Sequence, residues 1–388
     1  MKTTTENGLI KPLLLLYTRI LAVIYFVGFA IWYAMADGLR DRSGTPLGAD
    51  FINIYAAGVM ALRGQASFVY SWPLHDQVEQ AVVGYNLPYC SWHYPPMFLG
   101  LAVLVALVPY LWAFALYMAG GITAYGLVLW RLIPKGREYV WALAAFPGAF
   151  DNLINGQNGF MTTAMLGAGV LRLETQPWMA GVLFGLMSYK PQFFIVIPLM
   201  LAVGGYGRAL LATFLTALGI MALSWAVFGT NTWLAFISSM PATQHLILEQ
   251  SNGWQKIQSV FAWVRMWGGS VPFAYLVQGA VSGAALMIST YVWRRQASYP
   301  TRIAVLCAAM LLVTPYLLDY DLVILAVPIA MLTKQGIESG FLRGEKLLLV
   351  LLWLLPLVAR NVGSYGVSLT PPLLALLLAL CLRRSRTS

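Results

Sequence analysis

Apolar runs long enough to cross a lipid bilayer recur from one end of this 388-residue chain to the other. A helix needs about 20 apolar residues to span the hydrocarbon of a bilayer, because each residue rises about 1.5 Å. Only 10% of the residues are charged, whereas a soluble domain carries roughly 25%. The sequence therefore predicts an all-α polytopic integral membrane protein, with one transmembrane domain over residues 1–388 and no soluble domain.

The runs predict about 12 transmembrane helices, within a range of about 11 to 13. The predicted spans are 12–36, 95–131, 138–150, 159–173, 177–190, 191–204, 208–228, 272–293, 302–317, 321–333, 346–359 and 369–382. The run 95–131 is long and contains Pro109. We treat it as one crossing with a kink or a re-entrant first half, because two crossings would turn the later basic loops outward.

Lysine and arginine collect in short loops that all fall on one side of the membrane in this arrangement. The rule that inner loops are rich in basic residues explains the formal net charge of +10, so no nucleic-acid partner is expected. The other side carries two long loops, 37–94 and 229–271, for which we predict interfacial helices. Several spans are short, and short helices bring outer loops down into the membrane, where they can line a cavity.

The first outer loop contains GADFINIYAAG at residues 48–58. Apolar residues recur at helical spacing from Phe51 to Leu62, which predicts a helix at the outer interface that begins near Asp50. Aspartate is a preferred helix cap. A capping role and a functional acid are therefore both open for Asp50, and the two are compatible.

Two further stretches place polar side chains beside short spans. CSWHYPPMF contains His93 and Tyr94 where the chain re-enters the membrane, and an aromatic belt at the interface, with the prolines opening a helix, is the simpler interpretation. INGQNGF contains Asn155, Gln157 and Asn158. A plain turn accounts for its glycines, but it does not account for three amides, which suit sugar hydroxyls or a phosphate.

Charged residues mark three more places. Lys190 lies between two apolar helices, where a lysine is costly unless it pairs, snorkels or binds an anion. The stretch 244–267 predicts an interfacial helix whose candidate ligand contacts are Lys256, Gln258, Ser259 and Arg265. Asp319 and Asp321 begin a span, either as caps or as partners of a cation, a sugar or Lys190.

Six short motifs follow one another between residues 48 and 325: DFINIYAAGVMALRGQASFVY, HYPPMF, NGQN, GVLFGLMSYKPQ, KIQSVFAWVR and TPYLLDYDLVIL. The first is similar to DFxxYYxAAxxxLxGxxxxxY, the second to FxYPPxx and the last to SPYxxxYDxxLL. In these motifs and their order the chain resembles the polyprenyl-phosphate-dependent mannosyltransferases of glycosyltransferase family 87.

This resemblance implies a GT-C fold with its active site at the outer face of a bacterial inner membrane. It implies a polyprenyl-phosphate-linked sugar donor, most commonly of mannose, and transfer with inversion to a glycolipid, polysaccharide or other glycan acceptor. The family's catalytic acid lies in the DF motif, which is Asp50 here. Some members carry a histidine pair where this chain has Tyr320 and Asp321, so phosphate recognition falls to Lys190, Arg265 or Lys256.

The remaining candidates are expected to contact the sugar or the acceptor. They are Asn155, Gln157, Asn158, His93, Tyr94, Gln258, Ser259, Asp319 and Asp321. The sequence has no GxxxxGK[ST] loop, no HExxH and no CxxC, and its three cysteines lack metal-site spacing. We therefore expect no metal and no cofactor.

Two other classes of protein remain open. A secondary transporter or flippase of a lipid-linked or small polar solute would show paired charges within the membrane and inverted repeats, and we find no such repeat. A glycan polymerase or ligase would use arginines in a long outer loop, for which Arg360 is the one strong candidate.

Overall fold

The computed structural model describes residues 6–84, 89–250 and 253–386, with side chains from residue 12 onward. Residues 85–88 of the first predicted outer loop and 251–252 of the second lie outside this part. The first helices are α1 Glu6–Ala34, α2 Phe51–Leu62, α3 Trp72–Val83, α4 Leu99–Ala106, α5 Tyr110–Leu132, α6 Arg137–Ala144, α7 Pro147–Asn155, α8 Gly159–Arg172 and α9 Pro177–Leu186.

The remaining helices continue to the end of the described chain. They are α10 Pro191–Phe194, α11 Val196–Val203, α12 Gly207–Thr243, α13 Val260–Met266, α14 Val271–Arg294, α15 Tyr299–Val313, α16 Ala326–Ser339, α17 Glu345–Gly363 and α18 Thr370–Arg384. Short 3-10 helices lie at Ala66–Tyr70, Pro96–Phe98, Met187–Tyr189, Trp254–Lys256 and Asp319–Leu325, and a π-helical turn at Gln244–Glu249.

Six helical segments in the described residues are long and apolar enough to cross a membrane. They are Pro12–Ala34, Tyr110–Leu132, Gly207–Glu249, Val271–Arg294, Asp319–Ser339 and Glu345–Gly363. Each overlaps a different predicted span, although Gly207–Glu249 continues past the predicted end at 228 into the predicted second outer loop. The other six predicted spans contain shorter helices. The prediction of a polytopic, all-α membrane protein is therefore confirmed.

The long run 95–131 is divided at Pro109, whose backbone is extended with φ −57° and ψ 149°. After the break α5 has 23 residues and reaches across a bilayer, whereas the 8 residues of α4 rise only about 12 Å. α4 packs instead against α2. A Cβ on Gly58 would lie 2.0 Å from the carbonyl oxygen of Ala102, so the two backbones touch and hold the start of α2 in place.

The predicted span 138–150 is two helices rather than one. α6 ends at Ala144 and α7 begins at Pro147. Phe146 between them is extended, with ψ 118°, because a residue that precedes proline is disfavoured in the helical region.

The prediction of one interfacial helix over 244–267 is wrong. The described residues of this stretch form the π-helical turn, the 3-10 helix Trp254–Lys256 and the short α13. Between them the backbone N–H of Gln258 donates to the carbonyl of Leu317 at 2.7 Å. This bond to a distant segment holds the chain extended where local spacing alone favoured a helix.

The core lies along α15, in which every residue from Ile303 to Leu312 is buried. A helix that is apolar on all sides belongs inside a bundle, and α15 packs against α14, α16 and α18. The chain then turns through Thr314–Leu318 into the 3-10 helix that begins at Asp319. The buried bundle thus fixes the position of the acidic motif at its end.

Candidate active site

Asp50 occupies the cap position of α2, but its side chain makes no capping hydrogen bond. Its Oδ2 accepts a hydrogen bond from Nε2 of Gln157 at 2.9 Å. Its Oδ1 lies 3.6 Å from Nζ of Lys256, and the Cys90 thiol donates to the same oxygen over 3.6 Å. The residue is only 8% exposed. The carboxylate therefore contacts a cluster of polar side chains and does not cap the helix.

The backbone around Asp50 is fixed from two sides. Its N–H donates to the carbonyl of Asn155 at 2.9 Å. The next residue, Phe51, is fully buried, with its ring 5.3 Å from that of Tyr110 and 5.4 Å from that of Phe114 between centroids. The Asn155 side chain donates to the backbone and carboxylate of Asp151. Asn155 thus reaches Asp50 through its backbone carbonyl.

Three of the predicted polar residues form one network with Asp50. The Tyr94 hydroxyl donates to Oε1 of Gln157 at 3.2 Å and accepts from Nδ2 of Asn158 at 2.7 Å. Oδ1 of Asn158 is buried and has no hydrogen-bond partner among the described residues. The network therefore offers a free acceptor to a hydroxyl of a bound ligand.

His93 lies beside this network and bonds elsewhere. Its Nε2 lies in hydrogen-bond contact with Oγ of Ser91, and its Nδ1 is 3.3 Å from Oγ1 of Thr243. Burial lowers the pKa of His93 to about 3, so the ring is neutral near pH 7. The predicted contact of His93 with a sugar or acceptor stays a prediction.

Lys190 and Asp321 are brought together as a buried ion pair. Nζ of Lys190 donates to Oδ1 of Asp321 at 2.6 Å, and both side chains are at most 2% exposed. Lys190 also lies over the rings of Phe193 and Tyr320, 5.5 and 5.3 Å from their centroids. Each charge therefore has its partner within the protein, as one of the sequence alternatives expected.

Asp319 makes its contacts with groups other than Lys190. Its Oδ1 accepts from the backbone N–H of Tyr320 at 2.9 Å. Its Oδ2 is buried without a hydrogen bond in the described residues and lies 3.7 Å from a guanidinium nitrogen of Arg360. Asp319 thus belongs with Arg360, a residue outside the predicted site.

Three candidates of the second loop hold the loop together. The Gln258 side chain donates to the carbonyl of Gln255 and accepts from Thr370, and Ser259 caps α13 by accepting from Ala262. The Arg265 guanidinium donates to the carbonyls of two neighbouring turns, at Gly269 and Glu249. Lys256 is the member of this loop that reaches Asp50. Ligand roles for Gln258, Ser259 and Arg265 stay predictions.

The charges around Asp50 act on one another. Asp50 raises the pKa of the Lys256 ammonium, so this lysine stays charged. Burial, followed by the Asp50 carboxylate, raises the pKa of the Cys90 thiol, which remains a protonated donor. Burial, followed by Asp319, raises the pKa of Asp151 to about 7. The centre of the site is therefore a carboxylate held between an ammonium, a thiol and an amide.

Sequence reasoning missed Cys90, Asp151, and the buried pair His75 and Glu79. Cys90 lies inside CSWHYPPMF, and Asp151 lies three residues before INGQNGF, so the available signal was their position in or beside stretches that already contained candidates. His75 and Glu79 are four residues apart on α3 and both fully buried, a spacing that places two side chains on one helix face. Oε2 of Glu79 accepts from the backbone N–H of Cys90 at 3.0 Å, so the pair lies directly behind the site.

A groove of about 470 Å³ leads to the network between α4, α5 and α8. Its walls are largely apolar, with Leu101, Leu104, Leu116, Gly120, Phe160 and Met161 among the lining residues. Gln157 and Asn158 line it as well. The groove therefore joins an apolar channel to the amide that bonds Asp50, an arrangement that suits a ligand with a long apolar tail and a polar head.

Comparisons with known proteins give one match. The sequence model of glycosyltransferase family 87 matches residues 92–315, which is more than half of the chain. Neither a search of curated proteins nor a search of solved structures found a match. The matched range includes Gln157, Lys190 and Lys256, whereas Asp50 precedes it and Asp319 follows it. The importance of those two acids therefore rests on the geometry.

Proposed function

The chain belongs to glycosyltransferase family 87 and is a multi-pass membrane glycosyltransferase, and from this we propose that it transfers a sugar from a polyprenyl-phosphate donor to a hydroxyl of a glycolipid or glycan, with Asp50 as the catalytic base. We propose mannose as the sugar and the outer face of a bacterial inner membrane as the place. The observation that carries the proposal is the bond between Asp50 and Gln157 at the end of the apolar groove.

Asp50 suits the role of a base because one oxygen is oriented while the other is only loosely engaged. The Gln157 amide fixes Oδ2. Oδ1 has two contacts of 3.6 Å, to Lys256 and Cys90, and both are longer than a strong hydrogen bond. An acceptor hydroxyl can therefore approach Oδ1 and donate its proton there, and one positioned base is sufficient for an inverting displacement.

The groove suits the donor. A polyprenyl chain is entirely apolar, and the walls contributed by α4, α5 and α8 match it. The sugar would then lie beside Gln157 and Asn158, where the free Oδ1 of Asn158 could accept a hydrogen bond from a sugar hydroxyl. In this arrangement the reacting carbon would lie near Asp50.

In the proposed reaction the acceptor oxygen attacks C1 of the donor sugar on the face opposite the phosphate. The bond from C1 to the phosphate oxygen breaks, and polyprenyl phosphate leaves with the electron pair. Asp50 takes the proton of the attacking hydroxyl and later returns it to water. Phosphate is a good leaving group, so it needs nearby positive charge more than it needs a proton.

The test uses the purified protein in nanodiscs with a panel of polyprenyl-phosphate sugars and a membrane lipid extract. Release of free polyprenyl phosphate is followed by mass spectrometry. We expect release with one donor and a loss of about 100-fold to 10,000-fold in Asp50→Asn, as for removal of a general base. Asp76→Asn, a carboxylate on α3 outside the network, is the matched control and should keep its activity.

Two results would reject the proposal in different ways. Full activity of folded Asp50→Asn would remove Asp50 as the base. No release with any donor from folded wild-type protein would reject the donor class, and coupled uptake of a solute would then favour the transporter alternative.

A further inference from the structure

Lys256 and Arg360 are two cations whose donors are largely unused. Nζ of Lys256 lies 3.6 Å from Asp50, and a guanidinium nitrogen of Arg360 lies 3.7 Å from Asp319. Both distances are beyond hydrogen-bond length. Their side chains are 33% and 47% exposed, whereas both acids are buried. We call the surface formed by these two cations the mouth of the site.

The end of α17 brings the two cations to the same place. A Cβ on Gly363, in the last turn of α17, would lie 3.1 Å from Cα of Gln255, so α17 packs directly on the turn that carries Lys256. α17 also packs on the 3-10 helix that begins at Asp319. Asp50 has the largest effect on the pKa of Lys256 and raises it; Asp319 also raises this pKa, and Arg360 lowers it. The two cations and the two acids are therefore close enough to interact electrostatically.

The other cations of the cluster are already hydrogen-bonded to groups of the protein. Lys190 donates to Asp321 at 2.6 Å in a buried pair. Arg265 donates to two backbone carbonyls and lies 4.9 Å from the ring centroid of Trp254. Within the described residues, Lys256 and Arg360 are therefore the cations of this cluster that are at least partly exposed and make no hydrogen bond of their own, so an incoming anion can reach them.

We propose that Lys256 and Arg360 together bind the phosphate of the lipid-linked substrate at the mouth, with Arg360 as the second cation of the site. This inference rests on the proposed function, because that function supplies a substrate with a phosphate. A guanidinium presents paired N–H donors that match two phosphate oxygens, and an ammonium adds a third contact.

The contacts of the two cations with the two acids have a role in this proposal. Asp50 and Asp319 hold Lys256 and Arg360 in position at distances that leave their donors available. A phosphate offers shorter, charge-assisted hydrogen bonds than either carboxylate makes here. As the bond to C1 breaks, negative charge grows on the phosphate, and two fixed cations stabilise that charge.

The experiment measures binding of farnesyl phosphate to the full-length protein in nanodiscs by isothermal titration calorimetry, with farnesol as the uncharged comparison. We expect farnesyl phosphate to bind and farnesol to bind more weakly. Lys256→Gln and Arg360→Gln should each raise Kd about tenfold or more, the cost of a lost charge-assisted hydrogen bond. Arg360→Lys should recover part of the affinity, which separates loss of charge from misfolding.

Arg63→Gln is the matched control, since Arg63 is an exposed arginine at the opposite end of α2 from Asp50. Its Kd should equal that of wild type. Equal Kd for farnesyl phosphate in wild type and in both charge variants would overturn the inference, as would equal binding of farnesol and farnesyl phosphate to wild type.

Steady-state kinetics distinguish a donor phosphate from a phosphate on an anionic acceptor. In Arg360→Gln we expect the KM of the donor to rise while the KM of the acceptor stays the same. A rise in the acceptor KM alone would overturn the assignment to the donor. These results require turnover by wild type, so they are distinct from a failure of the proposed function, in which wild type releases no polyprenyl phosphate.

Discussion

Nε2 of Gln157 donates a hydrogen bond of 2.9 Å to Oδ2 of Asp50, across 107 residues of chain. The Tyr94 hydroxyl donates to the other end of the same amide, so the orientation of Gln157 is fixed from both sides. The carboxylate therefore has one oriented oxygen and one oxygen that faces the loose contacts of Lys256 and Cys90. This asymmetry makes the geometry of Asp50 depend on a residue in the loop between α7 and α8.

Replacement of Gln157 tests that dependence. Gln157→Leu removes the donor to Asp50 and the acceptor of Tyr94 while it keeps the side-chain volume. We expect kcat to fall about 100-fold, as is typical when a reacting group is misplaced by about 1 Å. Gln77→Leu on the exposed face of α3 is the control and should leave kcat unchanged. Wild-type kcat in Gln157→Leu would show that the bond does not orient the base.

The pairing of Lys190 with Asp321 predicts that each residue needs the other. Lys190→Met alone leaves a buried carboxylate without its cation and should destabilise the protein by about 3–5 kcal/mol. The double variant Lys190→Met, Asp321→Leu should recover most of that stability and keep the donor KM within about threefold, a change under 1 kcal/mol. Apparent Tm and donor kinetics in nanodiscs provide the two measurements. A stable double variant that no longer binds donor would instead show that one or both members of this pair contact the donor.

The class of the protein and the place of Asp50 follow from local patterns. Apolar runs predict the spans, because only their length and composition decide whether a helix can cross a bilayer. Helical spacing after Asp50 predicts α2, which the structure gives as Phe51–Leu62. Local pattern is sufficient here because a helix depends mainly on neighbours within four residues.

The direction of side chains and the shape of the second loop depend on distant contacts. Spacing alone left a cap and a functional acid both open for Asp50, whereas in the structure its carboxylate bonds to Gln157. The stretch 244–267 is broken because Gln258 bonds to the backbone at Leu317. Such bonds join segments that are far apart in sequence, so the periodicity of either segment does not predict them.

The buried carboxyl of Glu79 predicts a dependence of stability on pH. Burial raises the pKa of Glu79 from 4.5 to about 8. Between these values the folded state binds one proton more than the unfolded state, so stability falls as pH rises, by about 1.4 kcal/mol per pH unit. The loss of stability is therefore absent below pH 4.5 and complete above about pH 8.

Between pH 6.5 and 8 the titration of Glu79 can be separated from that of its neighbour His75. Burial lowers the pKa of His75 from 6.5 to about 4, so above pH 6.5 His75 is neutral in the folded state and its remaining charge in the unfolded state is the same for wild type and Glu79→Gln. We expect the apparent Tm of wild type to fall across this window and that of Glu79→Gln to fall less, because the amide resembles the protonated acid. Glu338→Gln, at an exposed glutamate on α16, serves as the control and should follow wild type. Parallel curves for wild type and Glu79→Gln would show that Glu79 is ionised in the folded protein.

The groove predicts an effect of donor chain length. Gly120 lines the groove on α5, and a Cβ there meets no atom within 4 Å. Gly120→Phe therefore places a ring in the groove without a clash against the protein. Because the ring occupies the space of the polyprenyl chain and not that of the reacting groups, we expect the KM of a long-chain donor to rise about tenfold while kcat stays nearly the same.

A matched variant and a second substrate complete this test. Gly126 lies on the same helix, has equal space around its Cβ and is not among the lining residues of the groove. Gly126→Phe should keep the wild-type KM. A donor with only two isoprene units should show a smaller rise in KM in Gly120→Phe than a long-chain donor, because less of its binding depends on the groove. An equal rise in KM for short and long donors in Gly120→Phe would mean that the ring disturbs Gln157 and Asn158 at the polar end, and that the chain runs elsewhere.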